Sequence, residues 1–202
     1  MTEKSSFDTE HQNENLNSKI TAALERISNA LRVLLWNESK ENSLSPIQNQ
    51  ILIFLLFHRE EYCTVSYLAE EFNITKATVS DSIKVLENKA LVSKKENLSD
   101  LRSQIILLTE TGKTIAEKAS RFVSGLENSI EHLTENQKET VFKSLTDVIY
   151  NLHQQNIISL QRMCFSCNNY SNVNGEHYCK LLDRNLQDSE IRVDCGDFEM
   201  VN

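Results

Sequence analysis

The stretch TVSYLAEEFNITKATVSDSIKVLENK at residues 64–89 decides the fold, because it predicts two short helices joined by a tight turn. In the second helix, Val79, Ile83 and Leu86 recur at helical spacing and form one apolar stripe, which leaves the polar side chains on other faces. Hydroxyl groups and lysines on such a face can meet base edges and phosphates in a DNA major groove. Taken alone, such a helix pair more often indicates an ordinary three-helix core with a polar exterior.

The next stretch, LVSKKENLSDLRSQIILLTETG at 91–112, reverses that balance. Apolar runs at 91–92 and 105–108 flank a polar, basic tip, and this pattern predicts a β-hairpin with a long loop. A helix pair followed directly by such a hairpin, over residues 45–109, has the order of a winged helix-turn-helix. The side chains expected to contact DNA are Thr75, Lys76, Thr78, Ser80, Ser82, Lys84, Lys94, Lys95 and Arg102.

The run TKATVSDSIKVLENKALV, the Asp-x-Arg at 100–102 and the run LLTETG resemble the multiple antibiotic resistance regulator (MarR) family of dimeric bacterial transcription factors, over about residues 14–160. The resemblance implies a recognition helix in the major groove and a wing-tip arginine, here Arg102, that reaches toward the minor groove. Leu101 departs from the family, because members often carry a second wing arginine there. Ala90 also departs, since a glycine usually closes the recognition helix, and we expect a left-handed backbone at Ala90 that costs about 1 kcal/mol.

The composition is that of a globular protein with long helices. The chain has 202 residues, of which 40% are hydrophobic and 25% are charged, and it contains one proline and four glycines. We therefore expect a mainly α fold with a small β-wing. The net charge of −8 opposes DNA binding, but residues 75–104 carry six Lys or Arg against four Asp or Glu. The acidic charge thus lies elsewhere, and DNA binding should weaken at high salt.

The longest apolar run, ILIFLLF at 51–57, is too short to cross a bilayer, and the polar amino-terminal region contains no cleavable hydrophobic segment. We therefore expect a cytoplasmic protein without membrane contact, whose cysteines are ligands or free thiols rather than disulfides. Cys63 is expected to be a small buried side chain rather than a reactive sensor thiol. The histidines other than His177 show no ligand spacing and are expected to be surface or helix residues.

Long amphipathic helices flank the winged unit. Apolar residues recur at helical spacing from Leu16 to about Lys40, through 111–132 with a bend near Gly125, and after a capping box that starts at Thr134. These stripes exceed what one winged unit can cover, so we expect a homodimer whose terminal helices interleave, with a monomeric bundle as the alternative. Such a dimer would read double-stranded DNA at a pseudo-palindromic operator with half-sites about 10 bp apart.

A serine cap, a proline and a glutamine at Ser45, Pro46 and Gln48 predict the start of the helix that carries ILIFLLF, which should form the core. Residues 1–13 are polar and are expected to fray. The predicted segments are an amino-terminal tail and dimerisation helix at 1–43, a DNA-binding domain at 44–110, dimerisation helices at 111–161 and a cysteine-rich extension at 162–202.

Four of the five cysteines fall after Arg162, and they have the spacing C-x2-C-x11-C-x15-C: Cys164, Cys167, Cys179 and Cys195. A segment this short has little room for a core and needs a staple, which four thiolates around one metal centre can provide. Zinc and a [4Fe-4S] cluster accept the same ligands. His177 could replace one of them, but we expect it to be a solvated loop residue.

Aromatic residues lie near the cysteines: Phe165, Tyr170, Tyr178 and Phe198. With them, this segment resembles the small cluster-binding subunits of benzylsuccinate synthase-type glycyl radical enzymes. The resemblance implies a [4Fe-4S] cluster. A structural Zn²⁺ site and thiol–disulfide chemistry are the alternatives.

The sequence thus predicts a dimeric DNA-binding transcriptional regulator that responds to redox state or iron through the cluster. One alternative is a regulator with a purely structural zinc site and a small-molecule signal. A more remote alternative is a small redox or maturation enzyme on a winged-helix scaffold. The chain contains no Gly-rich phosphate loop, nucleophile triad or carboxylate pair, so we expect no enzymatic activity.

Overall fold

The winged unit and its flanking helices occur in the order that the sequence predicts. The computed structural model describes residues 4–98 and 100–200, and within those ranges no helix is both long and apolar enough to cross a membrane. The helices are α1 (Thr9–Glu14), α2 (Leu16–Glu41), α3 (Pro46–Phe57), α4 (Val65–Glu71), α5 (Lys76–Asn88), α6 (Glu110–Ala119), α7 (Ser124–Glu131) and α8 (Glu135–Gln154). The strands are β1 (Val92–Glu96), β2 (Gln104–Leu108), β3 (Tyr170–Val173), β4 (Glu176–Cys179) and β5 (Arg184–Leu186). The predicted class, mainly α with a small β-wing, is confirmed.

Both predicted capping boxes start their helices. The Ser45 hydroxyl accepts from the Gln48 N–H, and the Gln48 side chain accepts in return from the Ser45 N–H at 2.9 Å. Thr134 and Gln137 form the same reciprocal pair at the start of α8. The amino-terminal region differs from the prediction, because Asp8 accepts from two backbone N–H groups and so caps the short helix α1 where fraying was expected.

The chain between α6 and α7 bends earlier than predicted. A 3₁₀ turn at Ser120–Val123 separates the two helices, so the bend precedes Gly125, which lies inside α7. This turn follows the buried Ala119 and packs against α2. Packing against α2, rather than the low helix propensity of glycine, therefore fixes the position of the bend.

The core of the winged unit is centred on α3, where Ile51 and Leu52 are fully buried. The apolar stripe predicted on α5, which consists of Val79, Ile83 and Leu86, packs into the same core. Because α5 buries this stripe against α3, most of its remaining surface stays in solvent.

The wing is a two-stranded antiparallel ribbon in which β1 pairs with β2 along its full length. An isolated bridge between Thr64 and Ile105 fastens the ribbon to the start of α4. Ala90 has a φ of 54°, so the left-handed conformation predicted after the recognition helix occurs on a residue other than glycine. Only three residues therefore separate the end of α5 from the start of β1.

The cysteine-rich segment folds into a three-stranded antiparallel sheet in the order β3-β4-β5. It buries a small apolar cluster made of Met163, Cys164, Leu186 and Ile191. Phe142 and Ile149 of α8 pack against this cluster. The segment therefore shares a small core with α8, which the expectation of a tail with little room for a core did not foresee.

Candidate DNA-binding surface and cysteine site

The amino-terminal end of α5 presents polar groups expected to face DNA. Thr75 caps the helix, since its Oγ1 accepts from the Thr78 N–H at 3.1 Å and lies 2.8 Å from the Thr78 Oγ1. Lys76 is exposed and forms no ion pair with any residue that the structure describes. The first turn of α5 can therefore offer backbone N–H groups, hydroxyls and an ammonium group to a phosphate.

Two serines predicted on the free face of α5 are less accessible than the threonines. Ser82 is only 6% exposed and its hydroxyl donates to the Thr78 carbonyl at 2.9 Å, so the prediction that it faces solvent is wrong. The reason is its place on the helix, three residues after Val79 and four before Leu86, which puts it beside the apolar stripe. Ser80 is half-buried.

The other predicted cations lie at the surface beside carboxylates. The pairs are Lys84–Asp81 at 3.0 Å, Lys94–Glu87 at 2.6 Å and Lys95–Glu60 at 3.1 Å. The Arg102 side chain at the wing tip is 93% exposed, and its Nε donates to Asp100 at 3.1 Å. Hydrogen bonds from the Arg102 backbone and side chain lower the pKa of Asp100. Exposed pairs of this kind contribute only about 0.2–1 kcal/mol, so a DNA phosphate can compete for these cations.

The four cysteines of the carboxy-terminal segment line one cavity of about 40 Å³. Cys164 and Cys167 are joined by a 3₁₀ turn, with the Cys167 N–H donating to the Cys164 carbonyl at 3.0 Å. Arg192 donates to two of the sulfurs, from its backbone N–H to Cys164 at 3.2 Å and from its guanidinium to Cys195 at 3.4 Å. N–H donors beside sulfur favour the thiolate form that binds metals.

The four cysteines are therefore suitable ligands for a thiolate-bound centre, but their side chains are not arranged around a metal ion. All five cysteines lie in the described ranges and are free thiols. Among the residues that the structure describes, no group of three or more His, Cys, Asp or Glu side chains is arranged to hold a metal ion. Burial raises the pKa of the Cys164 thiol, and the N–H of Arg192 acts in the opposite direction.

Cys63 is separate from this cluster. It is 2% exposed, and its Sγ donates to the Arg59 carbonyl at 3.3 Å. Burial raises the pKa of this thiol to about 12, so it is protonated at neutral pH. The prediction of a small buried side chain is confirmed.

Arg162 is a functional candidate that the sequence reasoning missed. Its side chain is 3% exposed and forms ion pairs with Glu71 of α4 at 2.9 Å and with Asp194 at 2.8 Å. Its guanidinium also donates to the Tyr67 hydroxyl at 2.9 Å and lies 4.9 Å from the Phe54 ring centroid. Burial opposes the positive charge, but hydrogen bonds from Arg162 to the two carboxylates raise its pKa.

Further contacts join the cysteine-rich segment to the winged unit. His58 at the end of α3 lies 2.7 Å from Asp194, and Arg59 lies 3.6 Å from Asp197. The segment is therefore docked on the winged unit. These pairs join residues more than a hundred positions apart, so no local pattern in the sequence could have identified them.

His177 also differs from the prediction of a solvated loop residue. It lies on β4, with Nδ1 2.6 Å from the Tyr170 hydroxyl and Nε2 3.1 Å from Asp188. Asp188 also accepts from Lys143 of α8. The imidazole thus helps to attach the sheet to α8, and the cysteine cavity is lined without it.

Residues 42–103 of the chain match the model of the MarR family. The chain is similar to the organic hydroperoxide resistance transcriptional regulator of Bacillus subtilis (strain 168), with 27% identity over 140 residues that cover 65% of this chain and 95% of that protein. It is also similar to the transcriptional regulator AdcR of Streptococcus pneumoniae serotype 2, with 24% identity over 138 residues that cover 66% of this chain and 92% of that protein.

Among solved structures, the crystal structure of the Staphylococcus aureus MepR–DNA complex resembles this chain with a TM-score of 0.58 and 22% identity. The match covers 65% of this chain and 97% of the MepR chain. The chain therefore shares the winged-helix fold of that structure and has an additional carboxy-terminal segment.

Proposed function

We propose that this chain is a winged helix-turn-helix transcriptional regulator of the MarR family rather than an enzyme, and that it binds a pseudo-palindromic DNA operator as a homodimer. We further propose that redox state or iron supply controls its DNA affinity through a [4Fe-4S] cluster on Cys164, Cys167, Cys179 and Cys195. The observation that carries the DNA-binding part is the exposed polar first turn of α5 beside a basic wing. MepR, which has the same fold, was crystallised in complex with DNA.

In this proposal α5 enters the major groove with its amino-terminal end first. Thr75, Lys76 and Thr78 meet phosphates and base edges there, because their side chains are exposed. Lys94 and Lys95 bind phosphate, and Arg102 at the wing tip reaches toward the minor groove. Ser82 is outside the contact set, since its hydroxyl is buried.

Dimerisation is supported by apolar side chains that one chain leaves in water. On α2, Leu16 is 70% exposed and Val33 is 56% exposed, and on α8, Val141 is 46% and Leu145 is 40% exposed. Trp36 of α2 is also half exposed. A second copy that covers these faces would remove this surface from water, which is the main driving force for association.

The cluster is supported by the four cysteines that line one cavity and by the N–H donors of Arg192. The four cysteines would hold the cluster, which supplies sensitivity to oxidants and to iron shortage when it is bound. Zn²⁺ on the same ligands is the alternative, and it would act as a structural staple. Anaerobic purification with iron, zinc and sulfide analysis separates the two, because iron with equimolar sulfide supports the cluster and zinc without sulfide supports the staple.

DNA affinity tests the main proposal. Fluorescence anisotropy with a duplex from upstream of the protein's own coding region should show binding at low ionic strength, and Arg102→Ala should weaken it about tenfold. Leu101→Ala is the matched control, because this exposed neighbour carries no charge. Wild-type protein that binds no duplex, or equal losses for the two variants, would contradict the proposal.

A further inference from the structure

The guanidinium of Arg162 bridges the winged unit and the cysteine-rich segment. It donates to both oxygens of Glu71, the last residue of α4, at 2.9 and 3.1 Å. It also donates to both oxygens of Asp194 at 2.8 and 3.2 Å. One buried cation thus holds a carboxylate of the winged unit and a carboxylate of the cysteine-rich segment at the same time.

Arg162 and its partner Asp194 both lie next to cysteines that are proposed as ligands. Asp194 directly precedes Cys195, and the Cys195 N–H donates to the Arg162 carbonyl at 2.8 Å. Arg162 itself precedes Cys164 by two residues. Its φ of 54° is unusual for a residue with a long side chain, and such conformations persist only where the surroundings impose them. A shift of the Cys164 and Cys195 backbones would therefore move the guanidinium.

The other end of the bridge is the turn that leads into α5. Ser159, three residues before Arg162, donates from its N–H and its hydroxyl to the Asn73 side chain at 3.2 and 3.0 Å. Its hydroxyl also lies 3.0 Å from the Glu70 carbonyl. Asn73 has a φ of 52° and lies in the turn between α4 and the Thr75 cap of α5. The segment from Ser159 to Arg162 therefore holds the turn that aims the recognition helix.

We infer that Arg162 is the positioning residue that couples the four-cysteine site to the recognition helix. The inference rests on the proposed function, because it assigns the path by which that site acts on α5. When the cysteines hold their centre, Asp194 stays in place and Arg162 clamps Glu71. When the centre is lost, Asp194 moves away, and a buried guanidinium with one partner is unstable, so Arg162 shifts and releases the turn.

Hydrogen exchange of the full-length protein without DNA tests the coupling directly. The protein is compared after anaerobic reconstitution with ferrous iron and sulfide, after loading with Zn²⁺ and after removal of either by a chelator. In the wild type, we expect amides in residues 65–76 to exchange about tenfold faster after removal. In Arg162→Gln and in the milder Ser159→Ala, the difference between loaded and stripped protein should shrink to less than about threefold.

Arg59→Gln is the control, because it removes an exposed ion pair between the winged unit and Asp197 but leaves the Arg162 bridge intact. It should keep the full wild-type difference. Ser159→Ala keeps the test valid if Arg162→Gln does not fold. A loaded-minus-stripped difference that persists in Ser159→Ala and in any folded Arg162→Gln would overturn the coupling.

DNA affinity measured on the same samples separates this inference from the proposed function. Protein that shows the exchange difference but binds no duplex supports the coupling and contradicts the DNA-binding function. Protein that binds DNA but shows no exchange difference overturns the coupling alone. Protein that takes up neither iron with sulfide nor zinc overturns both the coupling and the sensing part of the function.

Discussion

Gly112 lies in α6, where that helix packs close to the backbone that follows the recognition helix. A methyl group added to it would lie 1.9 Å from the Leu91 carbonyl oxygen. We expect Gly112→Ala to lower the free energy of unfolding by about 3 kcal/mol, because only backbone movement can relieve the clash. Gly125→Ala is the control, since its added methyl would lie 3.8 Å from a Leu34 side-chain carbon.

Urea denaturation followed by circular dichroism measures both variants. Gly125→Ala should raise the free energy of unfolding by about 0.5–1 kcal/mol, because alanine favours helix over glycine. Equal stability of the Gly112→Ala variant and the wild type would contradict the packing described for α6.

Cys63 makes the stability of the winged unit fall as the pH rises in the alkaline range. Burial raises the pKa of its thiol from 9.0 to about 12, so the thiol ionises in the unfolded chain at a lower pH than in the folded chain. Its contribution is present below pH 9 and is lost as the pH rises toward 12. Between pH 7 and pH 10 the wild type should lose about 1 kcal/mol more unfolding free energy than Cys63→Ala. Parallel losses in the two proteins would show that the thiol ionises freely when folded.

At single residues, the sequence predicted backbone constraints better than side-chain exposure. Ala90 was expected in a left-handed conformation, because the family pattern places a glycine there, and its φ is positive. Ser82 was expected in solvent but is buried. Three apolar positions on a helix do not show how wide the buried face is, so the burial of a neighbouring serine could not be predicted. The long-range partners of Arg162 had no signal at all, since an arginine before a cysteine motif is not distinctive.

At the level of elements, the exposed apolar faces of α2 and α8 carry the dimer prediction. The double variant Leu145→Glu/Val148→Glu places two carboxylates on the proposed interface, and we expect it to be monomeric in size-exclusion chromatography with light scattering. Asn136→Glu is the control, because it lies nine residues before Leu145 and therefore on the opposite side of α8. It should remain a dimer, and a double variant that also remains a dimer would place the interface elsewhere.

Helix starts were predictable because capping chemistry is local. Ser45 and Thr134 each form the expected reciprocal hydrogen bonds. A bend was predicted near Gly125, but its position at Ser120–Val123 was not predictable, because contact with α2 determines it. The sheet of the cysteine-rich segment was missed for a similar reason, since its strands are short and its core depends on α8.

At the scale of the whole molecule, the cysteine-rich segment is packed against the winged unit rather than being a peripheral tail. His58 and Glu71 of the winged unit contact it, and Asn73 contacts Ser159 just before it. The sequence predicted that the four cysteines form one group, and they line one cavity. This docking is what allows a change at the cysteines to reach α5 over a short path.

Selection of binding sites from a pool of random duplexes, carried out anaerobically at low ionic strength, tests the central claim most directly. A two-fold dimer that reads DNA with α5 and the wing should enrich inverted half-sites centred about 10 bp apart. Low salt is required because the chain carries a net charge of −8. Enrichment of a single asymmetric site, or no enrichment at all, would contradict the account.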